Sequence, residues 1–148
     1  MIALQAKPQH VTDRDALTPS ASRAMTWCGY ALSGIVIAFM AFDIAIKLLA
    51  LPIVLDTSAA LGITGGADMA RLLGAILLVC TLLYVYPRTA ILGAVLLTGY
   101  LGGAVATHVR VGSPLFTHIL FGVYLGIFTW GGLWLRDARL RALFPWRG

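Results

Sequence analysis

Thr107, His108 and Arg110 stand within four residues near the end of the stretch "GYLGGAVATHVRVGSPLFTH" (99–118), and a second histidine, His118, closes it. A hydroxyl, an imidazole and a guanidinium side by side can donate hydrogen bonds to a carbonyl oxygen, hold an anion or pass a proton. Imidazole is the side chain suited to the last task near neutral pH. Tyr100 lies seven residues before Thr107, close to two helical turns, so on a helix a phenol, a hydroxyl and an imidazole share one side. Upstream, "FDIAIKLL" sets Asp43 four residues before Lys47. With the acid N-terminal, this is the better order for an ion pair along a helix. Arg71, at the start of another apolar run, completes the candidate ligand-binding set. No catalytic residue can be assigned.

These groups sit in a greasy chain. Of 148 residues, 59% are hydrophobic and 11% charged, and the mean hydropathy is +0.88. A soluble domain carries about a quarter charged residues, and a chain this short would leave too much apolar surface in water. Lipid is therefore its solvent. The net charge of +5 then reads as a topology and headgroup signal. No basic run with interleaved aromatics marks a nucleic-acid surface, so no nucleic-acid partner is expected. Cys28 and Cys80 lie in apolar runs outside any cysteine or histidine spacing that would hold structural zinc. They read as small buried hydrophobes, and no metal site is expected.

Four apolar runs, at about 27–50, 70–86, 90–109 and 115–135, are each long enough to cross a hydrocarbon core of about 30 Å as a helix. They do not alternate as the strands of a membrane barrel would. The first is longer than the apolar region of a cleaved signal, about 7–15 residues; a cut near "DTSAA" is the competing reading. Pro52 marks the exit of the first run, and "DTSAALGITGGAD" is loop-like. The tyrosines of "YVYPR" suit a headgroup boundary. Pro87 and Arg88 make a turn so short that the next helix must return beside its neighbour. The expected fold is an all-α, integral membrane four-helix bundle of up-down-up-down topology. It is flanked by a tail over 1–26 and a basic tail over 136–148.

In that topology Lys7, Arg14, Arg23, Arg88, Arg136, Arg139, Arg141 and Arg147 fall on one side, against Lys47, Arg71 and Arg110 on the other. The basic excess puts both termini in the cytoplasm. Asp43, Lys47, Arg71, Thr107, His108, Arg110 and His118 then all fall in the outer part of the bundle. Ionisable groups cost about 2.5–3.5 kcal/mol each at mid-depth on insertion scales and normally face a bundle interior or a wet cavity. Asp43 and Lys47 should therefore meet His108 and Arg110 around an outward-facing polar pocket. For Arg71 and His118 the plainer reading is a solvated place in the interface, and Lys47 and Arg110 have stems long enough to reach headgroups. Gly99 with Gly103, and Gly122 with Gly126, have the four-residue spacing that lets helices approach closely. Packing of the third and fourth spans is the simple reading, and a homodimer surface the alternative.

The string "YPRTAILGAVLLTGYLGGAVATHVRVG" resembles the DoxX-like family of small bacterial four-helix membrane proteins. So do "LWLRDARLRAL" after the fourth span and the lysine ending the first helix in "FDIAIKLL". The resemblance covers about residues 27–145. It implies a place in the bacterial cytoplasmic membrane and a link to quinone chemistry. The family takes its name from a subunit of an archaeal thiosulfate:quinone oxidoreductase, and other relatives accompany membrane oxidoreductase complexes that handle thiol or oxidative stress. Most members have no assigned activity. Asp43 is a departure, because many relatives carry a small residue before the lysine; neutralised by Asp43, Lys47 is less available to an anion.

Two functions follow. In the first, the chain is a quinone-associated accessory subunit of a membrane oxidoreductase, with His108, Tyr100 and Lys47 as donors to the quinone head and Arg110 steering anionic sulfur substrates. No haem pair, flavin fingerprint or thiol motif stands in the sequence, so electrons would come through quinone or a partner subunit. In the second, the chain is a non-enzymatic membrane partner, or binds a small molecule or lipid. Transport ranks lower, because the inverted repeats and broken helices of many transporters are missing.

Overall fold

The computed structural model of the protein describes residues 23–143. Apolar runs free of proline give four long helices. These are α1 (Arg23–Leu48), α3 (Gly66–Val85), α4 (Ala90–Arg110) and α5 (Leu120–Arg136), the last entered through a π-helical turn at Leu115–Ile119. All four, counting that turn with α5, are long and apolar enough to cross a membrane. The fold is all-α, without strand among the described residues.

Two short helices depart from the sequence reading. The loop-like "DTSAALGITGGAD" (56–68) is helical at both ends: its first five residues belong to Pro52–Ala60, α2, and its last three to α3. Proline is favoured in the first helical turn, where its missing N–H costs nothing, and "IVL" with two alanines continues the helix. The true connection is shorter, Leu61–Gly65. Beyond α5, Ala138–Leu143 forms α6, its start capped by Asp137 Oδ1, which accepts from Arg139 N at 2.8 Å. Residues 23–26 of the expected N-terminal tail are the first turn of α1. The rest of that tail, with the last five residues of the C-terminal tail, lies outside the described residues.

The long helices pack in the ring α1–α3–α4–α5, each against two neighbours. Glycines set the closest approaches. A Cβ on Gly93 would come within 2.2 Å of Tyr84 N, and one on Gly29 within 2.9 Å of Gly132 O. α4 therefore lies hard against α3 at the Pro87 turn, and the start of α1 against the end of α5. Of the four glycines with packing spacing, Gly122 meets α4, a Cβ there falling 2.8 Å from Val105 Cγ2. Gly99, Gly103 and Gly126 face open space.

Val36, Met40, Leu77, Leu97, Leu133 and Tyr84 are the heart of the core. Tyr84, placed by its sequence context at a headgroup boundary, is fully buried, whereas Tyr86 keeps the exposed position. The reason is polar company. Tyr84 Oη donates to Thr129 O at 3.0 Å and lies 3.0 Å from Ser33 Oγ, so the phenol is satisfied inside the bundle. Thr81 and Thr129 spend their own hydroxyls on carbonyls four residues back. Cys80 is buried as expected, but Cys28 is exposed on α1. Trp27, Phe42, Val79, Leu82, Val95 and Ile127 are each more than half exposed. On spans of this composition those faces meet acyl chains, which are as apolar as the side chains themselves.

Candidate functional site: a cavity at one end of the bundle

The helices that touch closely around Tyr84 separate at the other end and leave a partly open cavity of about 560 Å³. On each long helix the lining gives way to packed core within about a turn. Met40 and Leu101 line the cavity and Val36 and Leu97 are buried beyond them; Leu125 and Leu73 are likewise followed by Thr129 and Leu77. The cavity is thus closed toward Tyr84. Its walls are mostly apolar, with Phe39 and Phe121 in edge-to-face contact, ring centres 5.0 Å apart. α2 supplies a further wall through Ile53, Val54, Thr57 and Ser58.

Six of the eight candidate residues line this cavity: Asp43, Lys47, Tyr100, Thr107, His108 and His118. Lys47 Nζ donates to Asp43 Oδ2 one helical turn away, both side chains being about one-fifth exposed. Tyr100 Oη makes no hydrogen bond among the described residues and is a donor free for a ligand. Thr107 Oγ1 is less available, since it donates to Gly103 O at 2.8 Å. The rings of His108 and His118, from α4 and the π-helical turn, lie with centres 5.5 Å apart.

The two arginines are elsewhere. Arg71 is exposed beside Asp68 at 3.4 Å, outside the lining. Arg110, expected in the pocket with Asp43, instead donates to Leu61 O, just after α2. Gly62 makes this possible: with φ +69° and no side chain, it leaves room for the guanidinium, 3.3 Å from where a Cβ would stand. A guanidinium that reaches across the mouth to an orphan carbonyl satisfies it and ties the α2 connection to α4.

A family model described as the DoxX-like family matches residues 31–132, a stretch that takes in part or all of every long helix and all six candidate residues of the lining. The chain belongs to the DoxX-like family. No curated protein and no solved structure matches it. This DoxX-like chain is a multi-pass membrane protein with a closed-bottomed cavity at one end. Sequence reasoning missed the contribution of α2 to the wall. Its signal was the proline followed by an apolar run, hidden by the small residues after it. Gly99 and Gly103, read for helix packing, line the cavity instead and widen it.

Proposed function

We propose that the protein holds a quinone in this cavity, as an accessory subunit of a membrane oxidoreductase. The observation that carries the reading is the charge of the lining. Asp43 neutralises Lys47 within the cavity, and Arg71 and Arg110 stand outside its wall. An anionic sulfur compound or phosphate headgroup needs a cation left over; inside the cavity Lys47 is paired with Asp43, and the Arg110 guanidinium is held at the mouth by Leu61 O. A quinone head is neutral, asks for donors at its carbonyl oxygens, and carries an apolar tail. Tyr100 Oη and the remaining N–H groups of Lys47 are such donors, and Phe39, Ile53, Leu73 and Phe121 supply apolar wall. The volume is in the range of small-molecule sites, about 300–1,000 Å³.

In this reading the partner subunit supplies the redox centre. The protein sits in the bacterial cytoplasmic membrane with both termini cytoplasmic and the cavity toward the outer face; the eight-to-three basic excess supports that orientation. The test is the lipid that travels with the protein. Protein purified from its native membrane in mild detergent is extracted, and bound quinone is counted by mass spectrometry in wild type, Tyr100→Phe and Lys47→Ala. Near-stoichiometric quinone in wild type, depleted in both variants, is the expected result. Bulk phospholipid alone in wild type would refute the reading and favour a lipid-binding or purely structural partner.

A further inference from the structure

His108 and His118 are ten residues apart in sequence, and two local devices bring them together. Gly112, with φ +68°, ends α4 in a turn in which Ser113 N donates to His108 O at 3.0 Å. That turn sets Ser113 Oγ 3.0 Å from His108 Nδ1. Beyond Pro114 the chain enters its π-helical turn, where both His118 N and Ile119 N reach Pro114 O, at 3.1 and 3.3 Å. Single π-turns inside α-helices recur at functional sites, and this one presents His118 to α4. Thr117 Oγ1 lies 2.8 Å from His118 Nδ1. Each ring therefore has its Nδ1 held by a hydroxyl. Neither Nε2 has a hydrogen-bond partner among the described residues.

We infer that His108 and His118 form a two-imidazole site for a divalent late transition-metal cation of the zinc or copper class at the cavity mouth. Imidazoles that bind metal characteristically give their other ring nitrogen to an oxygen, which fixes the tautomer and aims the lone pair. Ser113 and Thr117 hold that place here. The spacing agrees: two imidazoles bound to one tetrahedral zinc through Nε2, at about 2.0–2.1 Å each, put their ring centres about 5 Å apart. The observed separation is 5.5 Å, with the rings tilted by 58°. Neutral imidazole suits zinc, copper and nickel, and is passed over by magnesium and calcium. No group of three or more His, Cys, Asp or Glu gathers among the described residues. Among the described residues the two rings thus form a carboxylate-free ligand set of two imidazoles, and the remaining positions are open to water or an incoming ligand. The site shares the cavity with the proposed quinone but uses neither Tyr100 nor Lys47, the donors assigned to the quinone head.

The test uses the full chain with His10→Ala, to remove the third histidine, purified in detergent through a tag without histidine. Copper(II) is titrated and followed by electron paramagnetic resonance, with zinc(II) as competitor. One saturable site per chain is expected, with nitrogen hyperfine structure, displaced by zinc. It is lost in His108→Ala and in His118→Ala, and weakened about ten-fold in Ser113→Ala. His118 is exposed, so its variant keeps the wild-type elution and thermal unfolding and decides the question even where His108→Ala does not fold. Absence of a saturable site, or binding unchanged in His118→Ala, overturns the inference. Bound quinone is counted separately, so failure of this site and failure of the quinone reading are told apart.

Discussion

Tyr84 Oη on α3 donates to Thr129 O on α5 and lies 3.0 Å from Ser33 Oγ on α1, so one phenol fastens three helices beyond the cavity floor. Tyr84→Phe keeps the ring and removes both bonds, leaving the buried Ser33 hydroxyl without this partner. We expect a loss of about 1–3 kcal/mol, read as a lowered unfolding midpoint in detergent. An unchanged midpoint would mean that ring packing alone holds the helices there.

The glycines should divide sharply on substitution. Gly93→Ala drives a Cβ into the α3 backbone, and forced overpacking costs about 1–3 kcal/mol or more. Gly99→Ala meets open space and gains about 0.5–1 kcal/mol of helix preference. Paired thermal scans of the two variants check this, and equal effects would contradict the packing described.

Asp43 and Lys47 should be worth more as a pair than singly. Asp43→Asn leaves a partly buried ammonium uncompensated, at a cost of about 1–3 kcal/mol after allowance for its partial exposure. Asp43→Asn with Lys47→Met should recover most of that. A double variant no more stable than Asp43→Asn would show that the ammonium has another partner.

Filling the cavity should separate binding from folding. Gly103 lines it and has open space at its Cβ. Gly103→Leu should therefore leave the unfolding midpoint no lower than that of wild type, with the same helix-preference gain of about 0.5–1 kcal/mol as Gly99→Ala. Bound quinone should fall to background. Retained quinone would send the search for its seat outside this cavity.

Arg110→Ala should loosen α2 with little effect on the bundle. Amide exchange over residues 52–62 should quicken while α1 and α5 keep their protection, since the bond to Leu61 O is the tie from α4. Exchange unchanged there would show that α2 is held by its packing on α3.

Much of this was readable from the amino acids. The four spans follow from run length, and Asp43, Lys47, Tyr100 and His108 were grouped by helical spacing and by the cost of charge in lipid. What spacing cannot give is the direction a side chain takes at a helix end. Arg110 follows His108 by two residues, yet its long stem reaches the carbonyl beyond α2, a choice set by the turn at Gly62. Tyr84 and Tyr86 look alike in "YVYPR". Only the arrival of Ser33 and Thr129 from distant segments buries one and leaves the other outside. His118 faces His108 because Pro114 starts a π-turn, whose extra residue per turn upsets ordinary helical counting. The open faces of Gly99 and Gly103 have the same origin, since a four-residue spacing permits contact without supplying a neighbour.

The sealed floor governs how the chamber can be used. With Met40, Leu101 and Leu125 giving way to solid packing, whatever enters cannot leave past Tyr84. A spent molecule therefore cannot be pushed onward through the bundle, so exchange on the open side of the chamber, and not passage through the protein, sets the pace of any cycle run there.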